Sequence, residues 1–228
     1  MLNVMGTLFI IATPIGNLSD VTFRAIETLK SLDILFCEDT RVTKRLLDRY
    51  GISIPTDSYR EEVHRQKLER VLANLREGKR VGLVSDAGTP AISDPGFRLV
   101  RDVLAAEPET PIIPIPGPSA VATALSASGF PSDEFLFLGF PPHKKGRQSA
   151  FIEAMDQPRT VVLYESPHRI DKALAAIGAL DPMRPLCVGR EVTKLHETFY
   201  RGTAAEVTAQ LAKTSARGEF VVIIAQKH

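Results

Sequence analysis

Short runs of β-branched and aliphatic residues alternate with stretches of helical periodicity from one end of the chain to the other, and that alternation limits the fold to strands joined by crossover helices. The fold class is therefore α/β. Leu8 to Ala12, Ile34 to Cys37, Arg80 to Ser85 and Ile112 to Ile115 read as strands of the first half. Between them, Asp20 to Leu32, Thr40 to Tyr50, Glu61 to Glu77 and Phe97 to Ala106 read as helices, the first and third with one apolar face. Leu68, Val71, Leu72 and Leu75 form the inward stripe of the third, and Gly51 and Gly78 stand where helix C-termini are expected.

The stretch PIIPIPGPSA interrupts this rhythm. Prolines at 111, 114, 116 and 118 suit a stiff connection better than an interior strand, because each lacks the amide donor a ladder needs. A domain boundary is expected there, giving residues 1–117 with a parallel sheet and residues 118–228 with a mixed sheet. The second half restarts with a helix from Ser119 to Ser128. Strands are expected at Glu134 to Gly139, Thr160 to Tyr164, Leu186 to Arg190, near Glu197 to Arg201, and at Phe220 to Ala225. Ser166 followed by Pro167 reads as the N-cap and first residue of a helix, and Ala204 to Ala212 as another.

Composition excludes several classes. A chain of 228 residues with 44% hydrophobic and 24% charged residues has material for a sizeable core without staples. The two cysteines, Cys37 and Cys187, fall one in each half without metal-ligand spacing, so they read as core residues and no metal is expected. No apolar run approaches a membrane span and no leader pattern precedes Leu8, so a cytoplasmic location is expected. The 28 Lys plus Arg against 27 Asp plus Glu give a net charge of +1, without the excess typical of a protein that wraps naked nucleic acid. Any nucleic-acid partner must be met locally.

Four loops at strand carboxyl ends carry candidate chemistry. ATPIGNL follows the first strand and SDAGTPAISDPG the third, where open α/β sheets bind ligands. Their prolines and glycines expose main chain, and Asp86 adds a carboxylate suited to a cationic ligand. Read alone, the first is equally an ordinary strand-to-helix turn, and the second reads first as a Pro/Gly connector in which Asp86 caps a helix. No G-x-G-x-x-G or Walker A loop supports a nicotinamide or ATP site. EDTR, containing Arg41, and YESPHR, containing Glu165 and His168, can face a cleft between the halves. Their bland readings are first-turn acids with an exposed Arg, and a surface histidine. Pro141 to Arg147 is a flexible basic loop in which Lys144, Lys145 and Arg147 are the best local phosphate contacts, a solvated charge run being the alternative.

Taken together and in order, ATPIGNLSD, EDTR, SDAGTPAISDPG, IPGPSA, FLFLGF, YESPHR, REVTKLHE and GEF resemble the tetrapyrrole methylase-like family, in the branch that methylates ribosomal RNA. The resemblance spans essentially the whole chain. It implies two α/β domains, a homodimer, and S-adenosylmethionine bound between the domains largely by main chain. Carried over by position, the cofactor would meet Pro14, Gly16, Asp86, Ala87, Gly88, Ser119 and Ala120, with Tyr164 closing over it. The implied activity is 2′-O-methylation of a cytidine in 16S rRNA of the small ribosomal subunit. A tetrapyrrole or protein-side-chain methylase, and a ribosome-binding module without catalysis, are the competing readings. The glycine-rich first loop and Gly-Asp-Pro of the porphyrin branch are replaced here by ATPIGN and Asp86-Ala87-Gly88. The chain departs from the family pattern at Ser58 to His64, so no family role is carried onto that stretch. For the reaction, Glu165 or His168 would take the hydroxyl proton and Arg41 would clamp a phosphate or balance charge.

Overall fold

A computed structural model describes residues 5–94, 96–214 and 217–227. Pro95 of the SDPG segment lies outside them. The chain divides into two compact units, Met1–Ser119 and Ala120–His228.

In the first unit, β1 (Thr7–Ile11), β2 (Ile34–Cys37), β3 (Thr56–Ser58), β4 (Arg80–Val84) and β5 (Ile112–Ile115) form one sheet in the order β3-β2-β4-β1-β5. Every pairing is parallel. Such a sheet is buried on both faces, which is why its strands are continuous apolar runs. Phe9, Ile11, Leu35 and Cys37 pack with Ala25 and Leu29 of α1 (Phe23–Lys30) and Leu46 and Leu47 of α2 (Thr40–Arg49). The alternate residues Leu8, Ile10, Phe36 and Leu83 pack with Val71, Leu72 and Leu75 of α3 (His64–Arg76) and Leu99 and Val103 of α4 (Gly96–Ala106). Each fully buried Leu or Ile contributes about 1.5–3 kcal/mol, so this pleat alternation sets the register firmly.

Helix starts differ from expectation where side chains decide them. Residues 18–20 form a 3-10 turn, and α1 begins only at Phe23 because Thr22 Oγ1 accepts the Ala25 amide at 3.1 Å. The helix expected from Glu61 splits into a 3-10 turn at Glu61–Val63 and α3. The strand β3, three polar residues at the sheet edge, has too little apolar signal to be read from sequence. The prolines at 111 and 114 fit because β5 is the opposite edge and pairs with β1 alone.

The second unit holds β6 (Phe135–Phe137), β7 (Thr160–Glu165), β8 (Leu186–Arg190), β9 (Thr198–Gly202) and β10 (Phe220–Ile224) in the order β6-β7-β10-β8-β9. The β6–β7 pair is parallel and the other three are antiparallel, a mixed sheet. Helices α6 (Arg147–Met155), α7 (Ile170–Leu180) and α8 (Ala204–Ala212) bury Phe151, Leu174, Ile177, Val207 and Leu211 against Val161, Leu163, Val188 and Val222. The short α5 (Ala120–Ser126) packs against β10. Ser166 is not a helix cap. Its carbonyl accepts the Arg169 and Ile170 amides at 3.0 Å each and its hydroxyl accepts Arg169 Nε at 3.1 Å, so residues 166–169 close a turn and α7 starts at Ile170.

Candidate active site

Strands β1 and β4 are neighbours whose chains leave in opposite directions. From β1 the path runs through α1 toward β2, and from β4 through α4 to β5 on the far side of β1, with the two helices on opposite faces. A crevice at the carboxyl ends of such a strand pair is where open α/β sheets bind ligands. Here the two loops are tied across it. Thr13 and Gly88 exchange backbone hydrogen bonds of 2.9 and 3.1 Å in an isolated antiparallel bridge, and Thr13 Oγ1 donates to the Ser85 carbonyl at 3.3 Å. Thr89 Oγ1 donates to the Pro118 carbonyl at 3.2 Å, joining the loop after β5 to the same cluster.

Consequently Pro14, Gly16, Asp86, Ala87, Gly88 and Ser119, far apart in sequence, share the carboxyl-end rim formed by β4, β1 and β5. Gly88 has φ +79°, and a Cβ there would meet Ile15 Cγ2 at 3.3 Å and the Pro118 carbonyl at 3.7 Å. Gly117 lets its loop lie directly on Ala12, where a Cβ would come within 2.9 Å. Close main-chain approach is therefore built into the rim.

Acids gather beside it. Asp86 accepts the Asp39 amide at 2.9 Å, fixing the start of α2 to the β4 loop, and Asp39 caps α2 by accepting the Arg41 amide at 2.8 Å. The Arg41 side chain is 85% exposed and grips Asp39 through Nε and Nη2, which holds the Asp39 carboxyl well below the usual range. Burial, and then the neighbouring Asp86, push Glu38 up. Burial likewise raises Asp94, although that carboxylate accepts the Ala91 and Gly96 amides at 2.8 and 2.7 Å. Glu38, Ser85, Pro90 and Asp94 line a narrow pocket whose wall includes Tyr59.

Sequence reading passed over Tyr59. Its hydroxyl lies 2.5 Å from His64 Nδ1, and His64 Nε2 lies 2.8 Å from Asp102 Oδ2. Burial pushes the Tyr59 phenol up to about 12, and His64 links it to Asp102 in one hydrogen-bonded chain. The signal was present: His64 stands four residues before Leu68 on the buried stripe of α3.

In the second unit, Tyr164 is half-buried near the end of β7, its ring 5.0 Å from that of Phe137 and 5.3 Å from that of Phe140. Its hydroxyl accepts the Val121 amide, close to Ala120 at the start of α5. Glu165 is 1% exposed: Oε2 accepts Arg147 Nη2 at 2.8 Å, Oε1 accepts the Ser166 amide at 2.8 Å, and the Arg169 guanidinium stands 2.8 Å from Oε1 as an ion pair. This corrects two expectations. Arg147 does not belong to a solvated phosphate loop; it opens α6 and turns inward to Glu165. Nor does Glu165 present a free oxygen to take a proton. Lys144 and Lys145 are exposed as expected, and so is His168.

Among the described residues no cluster of three potential metal ligands occurs, and no helix is long and apolar enough to cross a membrane. A profile of the family described as Tetrapyrrole (Corrin/Porphyrin) Methylases matches residues 7–208. Ribosomal RNA small subunit methyltransferase I of Mesorhizobium japonicum is 46% identical over 220 residues, covering 95% of this chain and 74% of that protein. The protein of the same name from Thermotoga maritima is 41% identical over 223 residues, 98% of this chain and 100% of its own. Among solved structures, a cobalt precorrin-4 methyltransferase of cobalamin biosynthesis superposes with a TM-score of 0.71 at 18% identity, covering 96% of this chain and 94% of that one. Uroporphyrin-III-C-methyltransferase from Thermus thermophilus gives 0.66 at 18% identity, with the same coverage. These two carry the likeness of fold.

Proposed function

Because this chain belongs to the tetrapyrrole (corrin/porphyrin) methylase family, we propose that it transfers a methyl group from S-adenosylmethionine to the 2′-hydroxyl of a cytidine in 16S rRNA of the small ribosomal subunit. The observation that carries the reading is the 41% identity, end to end, with a relative named for ribosomal RNA of the small subunit. The near-neutral charge fits a substrate recognised by shape in an assembled particle better than naked RNA.

The rim of the first unit fits the cofactor. Its bridged loops present main chain, Gly88 keeps a cradle open that a Cβ would narrow, and the acids beside it suit a ligand that is cationic at one end. Pro14, Gly16, Asp86, Ala87, Gly88 and Ser119 would hold it. When bound, the sulfonium supplies an electrophilic methyl carbon and leaves as a neutral thioether. The protein's own task is to orient the hydroxyl and let its proton go, and positioning alone can provide an effective molarity up to about 10⁵ M or more. Arg41, 85% exposed, can turn from Asp39 to an RNA phosphate, leaving Asp39 with Arg60 at 3.9 Å as its remaining counter-charge. Glu165 acts as a positioning residue that fixes Arg147 and Arg169, which leaves exposed His168 as the proton acceptor in YESPHR. Lys144 and Lys145 supply phosphate contacts, and the protein works as a homodimer in the cytoplasm.

The test is nucleoside mass spectrometry after incubating the full chain with labelled cofactor and unmodified small subunits. Labelled 2′-O-methylcytidine in 16S rRNA is expected. Label on a base, on ribosomal protein or on an added porphyrin-type acceptor would overturn the assignment, and light scattering that gives a 25.0 kDa species would overturn the dimer.

A further inference from the structure

The cations of the first unit are not spent evenly. On α3 and α4, Lys67 and Arg70 hold Asp57, Arg76 holds Glu107, Arg98 holds Glu61 and Arg101 holds Asp102. Among the described residues of this unit, the basic side chains that engage no acceptor are Arg24, Lys30, Arg45, Arg49 and Arg65. All but Arg65 stand on α1 and α2, which cover the same face of the sheet. Acids do not balance them there. Asp48 is neutralised by Lys44 at 2.6 Å and Asp39 is gripped by Arg41, while exposed Glu27 is left between Arg24 and Lys30 on α1.

Helix stability does not account for this placement. A cation in the last turn complements the helix dipole, which suits Lys30 and Arg49. Arg24 and Arg41 occupy first turns, where the dipole opposes them, and Arg45 lies mid-helix. Arg41, Arg45 and Arg49 recur at every fourth position, so they form an exposed row along α2 with steps of about 6 Å. The row begins at the rim, because the Asp39 amide donates to Asp86. It ends toward the turn that leads into α1, because the Tyr50 hydroxyl donates to the Leu18 carbonyl at 2.7 Å. Past that turn, Phe23 is 87% exposed in the first turn of α1, beside Arg24. A row of guanidinium groups that leads to an exposed aromatic ring is suited to a nucleic-acid strand: the cations follow its phosphates, and the ring offers a face to an unstacked base.

We infer that the outer face of α1 and α2 docks the sugar–phosphate backbone of the RNA substrate, which runs from the rim along Arg41, Arg45 and Arg49 toward Phe23. The inference deepens the rRNA reading above and rests on it. It is tested by filter binding of the full chain to unmodified small subunits at several salt concentrations, with Arg45→Gln, Arg49→Gln, their double variant, Phe23→Ser and Arg65→Gln. All four positions are exposed, so the variants should fold as the parent does. Each Gln on α2 should weaken binding about threefold and the double variant about tenfold, with a log-log salt slope flatter by about 1.4. Phe23→Ser should weaken binding and leave the slope unchanged, which separates stacking from charge. Arg65→Gln, on the opposite face of the sheet, should match the parent. A benzophenone attached through Arg49→Cys should cross-link to 16S rRNA. S-adenosylmethionine affinity, read by calorimetry, should be unchanged in all of them.

Parent-like affinity and slope in the double variant would overturn the surface. So would an equal loss in Arg65→Gln, which would mark a diffuse field, or a cross-link confined to ribosomal protein, which would make the partner a polypeptide. Failure of methylation with these binding effects intact would instead count against the proposed activity alone.

Discussion

Replacing Glu165 by Gln separates a structural anchor from a catalytic base. The carboxylate is 1% exposed, pairs with two guanidinium groups whose side chains are 17% and 14% exposed, and accepts from one amide. Gln keeps the shape and one acceptor but presents an NH₂ group to an arginine and leaves both cations without a counter-charge. Removing one partner of a buried pair costs about 3–5 kcal/mol, and the partial exposure of both arginines places this case near the lower end, about 3 kcal/mol. With a urea m-value of about 2 kcal/mol/M, the midpoint of the second unit should fall by about 1.5 M. Arg147→Met leaves Glu165 with Arg169 and should cost less. The double variant should cost less than the sum of the two, because a cycle through contacting residues is not additive. Urea unfolding followed by circular dichroism reads all four corners, and single-turnover methylation of small subunits reads the chemistry. A midpoint that stays within about 0.3 M while the chemical step slows about a hundredfold would refute the anchor and return Glu165 to the reacting proton.

Gly88→Val should cost about 1–2 kcal/mol from the left-handed backbone and abolish S-adenosylmethionine binding by calorimetry; unchanged affinity in a folded variant would remove the cradle from the site. Neutralising Lys144 and Lys145 together as glutamines should weaken binding to small subunits several-fold and leave cofactor affinity alone, as sedimentation and calorimetry would show. The Asp102 carboxyl is held down to about 2, chiefly by Arg101 and then by His64. A carboxyl depressed in the folded state adds stability that is present above its unfolded value, about 3.9, and is lost as pH falls toward 2. Asp102→Asn should therefore flatten the loss of thermal stability between pH 4 and 2, and parallel curves for the two proteins would contradict it.

Local chemistry was legible in the sequence and long-range pairing was not. Ile34–Cys37 and Ile112–Ile115 stand where the apolar runs put them, because buried parallel strands need nothing beyond such runs. The Pro/Gly loops after β1 and β4 were recognisable as candidates, but the bridge from Thr13 to Gly88 joins positions 75 apart, and no pattern announces it. Arg147 looked like the end of a basic loop because its partner Glu165 lies 18 residues on, and α6 was missed with it, since its first turn carries no side-chain cap. Ser166 resembled a cap by composition, yet its hydroxyl was claimed by Arg169, a competition visible only in three dimensions.

The prolines of β5 have a consequence for how the protein behaves when crowded. Pro111 and Ile115 turn their carbonyls toward β1, so the even-numbered residues between and after them face away from the sheet. Two of those, Pro114 and Pro116, have no amide hydrogen, and Ile112 is left as the outward donor of the strand. An incoming β-strand would find acceptors along this border but almost no donors, so a ladder cannot propagate from it. Exposed parallel borders rich in isoleucine are otherwise seeds for strand addition and fibre growth. By this arrangement the strand buries Ile115 and leaves Ile113 40% exposed at a border that resists self-association during synthesis, when the sheet is still incomplete.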